Sequence, residues 1–194
     1  MPESSLDPAR AARFTTLYDA YYHRILGYAQ RRILGDDAVD IVAETFAIAW
    51  RRLDDVPQGE PALYWLYATA RRVLANHRRA ESRRATLTSA IANEPLLAAS
   101  PAASGESRHV AAALAQLREP DRELLLLVAW EGLDAAGVAA ILRCSRNAAR
   151  IRLHRARRRF GQALAAVDEA KRHDRGHVVS AAEPIGTYEL EDSP

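Results

Sequence analysis

Cysteine is almost missing from the chain: Cys144 is the only one in 194 residues. An intrachain disulfide is therefore excluded, and so is any zinc site built on several thiolates. Long apolar runs are missing too, and none approaches the ~20 residues that a membrane-crossing helix needs. The polar stretch Met1–Arg13 has no apolar core, so no secretory signal is expected there. Glycine and proline number 9 each, which rules out collagen-like and low-complexity chains. There is no P-loop, no glycine-rich nucleotide fingerprint and no two-histidine helix motif with a catalytic glutamate. No enzyme, metal or cofactor is expected on these grounds. What remains is an ordinary globular composition, 48% hydrophobic and 27% charged, for which a cytoplasmic location is the simplest expectation.

The formal net charge of +2 conceals an uneven distribution. Ile141 to Phe160 holds eight arginines and no acid, and Arg71 to Arg84 holds six arginines against Glu81 alone. Asp36 to Asp55 holds six acids against Arg51 and Arg52, and Gly176 to Pro194 holds four acids without a Lys or Arg. Two concentrated basic stretches point to a polyanion, most simply nucleic acid. All of the basic residues except Lys171 are arginine. Arginine suits bidentate contacts to phosphate and guanine, but the skew by itself decides nothing.

The apolar spacing is helical nearly throughout. Phe14, Leu17, Tyr18, Tyr21, Ile25 and Tyr28 recur at steps of three and four and predict a helix over 11–34. Gly35, Asp36 and Asp37 end it and cap a second helix, over 37–53, whose buried stripe is Val42, Phe46, Ala49 and Leu53. Asp37, Asp40 and Glu44 fall on another face of that helix. Asp54–Pro61 is a turn-rich loop, and a third helix is expected over 62–84. Residues 85–107, rich in Ala and Ser, read as a linker. Further helices are expected over 110–117, from Pro120 to Trp130, from an Asp134 cap to Leu142, and over 146–167. The fold class expected is all-α: two small helical domains joined by a flexible linker. The boundaries are an N-terminal tail 1–10, a first domain 11–84, a linker 85–107, a second domain 108–167 and an acidic, disordered tail 168–194.

Gly132 to Phe160 has the layout of a helix-turn-helix, a short helix followed by a tight connection and a longer basic helix. At 100° per residue, Ala149, Leu153, Ala156 and Phe160 share one face of the last helix. The opposite face carries Asn147, Ile151, His154, Arg155 and Arg158, with Arg146 and Arg150 at its edge. That surface is nearly all donors and positive charge, as a helix entering a major groove needs. Ser145 is placed to cap it and to leave amides free for a phosphate. Cys144 reads as a small hydrophobe plugging the turn. In the first domain, Tyr64, Trp65 and Tyr67 precede Arg71, Arg72, Asn76, His77, Arg78 and Arg79. Such a helix can stack unpaired bases while its arginines hold the backbone; the aromatic residues could equally be core.

Three stretches in order, Asp36–Arg52, Trp65–Arg79 and Glu131–Arg159, resemble bacterial RNA polymerase sigma factors, specifically the small two-domain extracytoplasmic-function (ECF) group. The resemblance covers about 14–160. It implies a sigma-two domain whose second helix docks on the clamp helices of the polymerase large subunit, with Asp37, Asp40, Glu44 and Phe46 at the motif positions. It implies that the loop Asp55–Glu60 and the stretch Tyr64–Arg79 recognise and open the minus-ten element. It implies a sigma-four domain that reads the minus-thirty-five element through Ser145, Arg146, Asn147, Arg150, Ile151, His154, Arg155 and Arg158. Core RNA polymerase and promoter DNA are the implied partners, together with an anti-sigma factor. The chain departs from the family pattern at Val39, Ala43, Asn147 and Ala148. It departs also at Arg143, where the family often has glycine; an arginine in a left-handed conformation is strained, so a different turn is expected. The alternative reading is a conventional helix-turn-helix regulator that does not act through core polymerase. The acidic tail, with Glu183, Glu189, Glu191 and Asp192, reads as exposed, solvated charge; the alternative is that it folds back on the basic helices and masks them.

Overall fold

The computed structural model describes residues 7–33, 36–88 and 105–179. Among these the chain is helical and contains no strand. Helix α1, Pro8–Gln30, starts three residues before the spacing predicts because Asp7 accepts from the Ala9 amide and Pro8 takes the first position, where no amide is needed. Helix α2 spans Asp37–Arg51 and is followed by a 3-10 turn, Leu53–Asp55. The capping expected of Asp36 is not made, since its side chain has no cap hydrogen bond. Helix α3 covers Glu60–Thr88. These three pack on one another around Leu17, Ile25, Phe46, Leu53, Leu66 and Val73, all buried.

The second module consists of α4 (Gly105–Gln116), α5 (Glu119–Ala129), α6 (Ala135–Leu142) and α7 (Arg146–Val179). Most of the expected linker lies outside the described residues, but its two ends are helical, as α3 reaches Thr88 and α4 begins at Gly105. Helix α7 does not stop near Val167. It runs on to Val179, because Ala, Glu, Lys and Arg favour helix and because α4 packs along it. The disorder expected from 168 onward is thus corrected for 168–179; residues 180–194, with Glu183, Glu189, Glu191 and Asp192, lie outside the described residues.

The two modules share a core. Leu124, Leu127, Val138 and Ile141 join the apolar cluster of α1–α3, and α6 lies against α3. Leu114, Leu117 and Leu126 form a smaller cluster with Phe160 beneath α7. Both ends of the short helix α6 are well specified. Asp134 accepts from the Ala136 and Gly137 amides. At the other end Arg143 takes the left-handed conformation, φ 50 and ψ 50, so the different turn expected there does not occur. The Arg143 amide donates to the Ala140 carbonyl and the Cys144 amide to that of Ala139. This pair of bonds closes the helix in a Schellman motif and holds the arginine where glycine is favoured.

Candidate nucleic-acid interface

Helix α7 presents its apolar and polar faces as its spacing predicts. Ala149, Leu153 and Ala156 are buried, and Phe160 is half-buried against the cluster of Leu114, Leu117 and Leu126. Ser145, Arg146, Asn147, Arg150, Ile151, His154, Arg155 and Arg158 are all exposed. The Ser145 hydroxyl accepts from the Ala148 amide at 3.1 Å and caps the helix. Arg146 lies 3.9 Å from Asp134, and Arg159, beyond this stretch, donates to Asp121 at 2.6 Å. Cys144 is half-buried and packs against the core.

On α2, Asp40 and Glu44 are exposed and Asp37 is half-buried. Val39, on the flank of this acidic face about 100° around the helix from Asp40, stands 52% exposed. Phe46 is not on this face. It is 3% exposed and packs with Phe14, Tyr18 and Tyr22, as its place in the apolar stripe requires. Its inclusion among docking residues is corrected to a core role. Asp37 reaches toward α3, where His77 Nε2 lies 3.8 Å away and His77 Nδ1 is 3.4 Å from Glu81.

Helix α3 carries the aromatic and basic residues, and the second module covers part of them. Tyr67 is buried and its hydroxyl donates to Glu131 Oε2 at 3.2 Å. Burial, then the Glu131 carboxylate, pushes this phenol up to about 12. In this arrangement no base can stack on Tyr67, so of the two readings of that residue the closed molecule adopts the core one. Tyr64 is half-buried beside Gly137 of α6, whose added Cβ would come within 3.2 Å of the ring. Its hydroxyl donates to Glu60. Trp65 is half-buried against the core. Arg72, Asn76 and Arg79 are exposed, whereas Arg71, His77 and Arg78 are half-buried. Arg78 Nη2 donates to the Arg32 carbonyl and its Nη1 to Glu119 of α5.

Sequence reasoning missed the charged network that joins the modules. Arg32 donates from Nε to Glu123 Oε2 at 2.8 Å and from Nη1 to Glu131 Oε1 at 3.0 Å. Arg31 donates to Glu131 Oε2 at 2.6 Å, and the Tyr28 hydroxyl donates to Glu123 Oε1 at 2.8 Å. Arg32, Glu123 and Glu131 are all buried. Burial opposes the charge on Arg32, but Glu123, Tyr28 and Glu131 outweigh it and its pKa is raised. The Tyr28 phenol is raised well above the usual range, first by burial and then by Glu123. No local spacing could have announced these pairs, whose members are 91 to 100 residues apart.

A pocket of about 400 Å³ also went unforeseen. It lies between α1 and the loop before α3, and Arg13, Thr16, Tyr21 and Gln58 line it. The loop is fastened to α1 by Arg13 donating to the Val56 carbonyl and Tyr21 to that of Gly59. It therefore stands as a formed concavity beside the expected minus-ten residues.

Two family profiles match the chain, Sigma-70 region 2 over residues 17–84 and Sigma-70, region 4 over residues 107–160. The chain is 30% identical over 158 residues to the ECF RNA polymerase sigma-E factor of Escherichia coli, covering 74% of this chain and 82% of that one. It is 30% identical over 166 residues to the RNA polymerase sigma-H factor of Pseudomonas aeruginosa, covering 78% and 86%. Among solved structures, CnrH in complex with the cytosolic domain of CnrY is similar, with a TM-score of 0.56, 26% identity and coverage of 79% and 88%. The Bartonella quintana sigma factor RpoE, bound to the anti-sigma factor NepR, shares the fold with a TM-score of 0.58, 23% identity and coverage of 78% and 96%. An acidic helix, an aromatic–basic helix and a capped basic helix-turn-helix, in this order and with these relatives, place the chain in the ECF sigma factors, the subunits through which RNA polymerase initiates transcription at chosen promoters.

Proposed function

We propose that the chain divides the work of a sigma factor between its modules as follows. The exposed side of α2, with Asp40 and Glu44 and with Asp37 at its edge, docks on the clamp helices of core polymerase; Val39 adds apolar contact. The loop after the 3-10 turn and helix α3 recognise and open the minus-ten element. Tyr64, Trp65 and Tyr67 supply faces for unpaired bases, and Arg71, Arg72, Asn76, His77, Arg78 and Arg79 hold the backbone. The pocket lined by Arg13, Thr16, Tyr21 and Gln58 has the volume to hold one extruded base. The helix α7 face from Ser145 to Arg158 reads the minus-thirty-five element in the major groove.

The observation that carries this reading is the sorting of exposed charge. Acid is concentrated on α2 and base on α7, with no acid between Ile141 and Phe160. A conventional regulator would need the second feature only. Sigma factors are not enzymes, and no catalytic residue is assigned. The protein works where the polymerase is, in the cytoplasm; among the described residues no helix is long and apolar enough to cross a membrane. CnrH and the Bartonella quintana RpoE were each solved with a bound partner, and an anti-sigma protein covering α2 and α3 is the corresponding partner here.

The test is co-elution with core polymerase on a sizing column. The wild-type chain co-elutes, and the Asp40→Arg/Glu44→Arg variant elutes alone with its helix content intact. A folded wild-type chain, free of bound protein by mass spectrometry, that still fails to co-elute would sink the docking assignment.

A further inference from the structure

A cleft of about 450 Å³ opens between α1, α3 and α5. Five arginines line it, Arg32, Arg71, Arg72, Arg78 and Arg79, against two acids, Glu119 and Glu123. Both acids are already engaged. Glu123 accepts from Tyr28 on one oxygen and from Arg32 on the other, and Glu119 accepts from Arg78. Arg79 donates to Asn76. Among the cleft-lining arginines two guanidinium nitrogens are buried without any hydrogen-bond partner, Arg32 Nη2 and Arg71 Nε. The Arg32 side chain is only 2% exposed, so it adds charge beneath the cleft, and the reachable guanidinium groups are those of Arg71, Arg72 and Arg79. Burial, together with the nearby charges of Arg143, Arg52 and Arg71, lowers the Arg72 pKa. Buried charged donors without acceptors are costly, and a surplus of positive charge in a formed concavity is a ligand site in waiting.

Phosphate supplies what is missing, since it is multiply charged and rich in acceptors, and its geometry suits the guanidinium fork. The volume lies within the range of small-molecule sites and exceeds what one inorganic phosphate fills. We propose that this cleft binds a phosphorylated small molecule of nucleoside-polyphosphate size, with the half-buried Arg71 and the exposed Arg72 and Arg79 as its phosphate contacts. Its walls come from both modules, so the site exists only while they are packed together. A ligand there binds the closed molecule alone and holds it closed by mass action. A DNA backbone offers α3 the same phosphate chemistry, but it would not need α5.

The experiment is calorimetric titration of the full chain with ATP and with inorganic pyrophosphate, without polymerase or promoter, so it stands apart from the promoter reading. ATP binds the wild-type chain, and Arg71→Gln weakens it at least tenfold. Glu131→Arg lies outside the cleft and sets a positive charge against Arg31 and Arg32; it parts the modules and weakens ATP binding by a similar factor. Circular dichroism checks that helix content is kept, and X-ray scattering checks the opening. If Glu131→Arg fails to fold, Arg71→Gln still carries the test. The proposal is overturned by no binding of either anion at millimolar concentration, or by binding indifferent to Arg71→Gln. It is overturned also by binding that survives in the opened variant, which would mean that α3 or α7 alone holds phosphate, as for a DNA backbone.

Discussion

Arg143 holds a left-handed conformation that glycine takes without strain. For an L-residue that conformation costs about 1–2 kcal/mol, and here the arginine also stands near Arg72 and helps to depress its pKa. The Schellman closure onto Ala139 and Ala140 pins the turn regardless. Arg143→Gly should therefore raise the unfolding free energy, by about 0.5–1 kcal/mol after glycine's greater entropy in the unfolded chain is counted. Arg143→Val should lower it, because a branched side chain at positive φ is worse still. Urea denaturation of the two variants reads both signs. Tyr67 gives a second prediction at this scale. Its phenol is raised to about 12 by burial and by Glu131, so the packed state favours the protonated form. That contribution is complete below about pH 10, the ordinary tyrosine value, and is lost as the pH climbs toward 12. An ultraviolet titration of Tyr67→Phe should show one fewer late-ionising tyrosine than the wild-type chain, with the early ones unchanged.

At the scale of elements, α7 is the case where a sequence pattern carries furthest. Every third or fourth residue of one face from Ala149 to Phe160 is small or apolar and turned inward, and the opposite face of that stretch is dominated by exposed arginine without an acid. If Arg155 and Arg158 meet phosphates, their replacement by alanine together should lower the slope of log affinity against log salt by about 2, roughly one for each contact. Fluorescence anisotropy on a duplex across salt concentrations measures it; an unchanged slope would remove these residues from the backbone contacts. The same periodicity made α1, α2 and α6 legible, because a helix buries a stripe whatever it packs against. The caps at Asp134 and Ser145 were legible as well, being local. Phe46 shows where motif reading fails and periodicity succeeds. Its place in a docking motif suggested the surface, its place in the stripe with Val42 and Ala49 required the core, and the core prevailed. The reach of α7 to Val179 was lost for the opposite reason, since the apolar stripe fades while helix propensity and packing against α4 continue. The pocket beside the loop before α3 was hidden because Arg13 and Val56 meet across 43 residues.

The whole molecule is closed in a way that bears on its function. Glu131 covers Tyr67, α6 crowds Tyr64, and Glu119 draws Arg78 toward α5. Of the α3 residues proposed for the minus-ten element, Tyr64, Tyr67 and Arg78 are thus covered or engaged until the second module moves away, while Arg72, Asn76 and Arg79 stay exposed. What holds it is partly apolar, through Leu127, Val138 and Ile141, and partly the buried pairs that Arg32 makes with Glu123 and Glu131. A buried pair adds little over a hydrophobic replacement, but removing one partner strands the other charge at a cost of about 3–5 kcal/mol. Glu123→Ala/Glu131→Ala strands Arg32 and frees Arg31, and parting the modules returns both to water while leaving the rest of each module's packing intact. The variant should therefore expand in X-ray scattering with its helix content unchanged. It should melt in two steps where the wild-type chain melts in one. It should also join core polymerase faster than the wild-type chain, since opening no longer precedes docking of the second module. A variant that stays compact and melts as one unit would mean that the apolar contact alone keeps the modules together. A variant that opens without any gain in assembly rate would mean that opening is already fast beside the docking step.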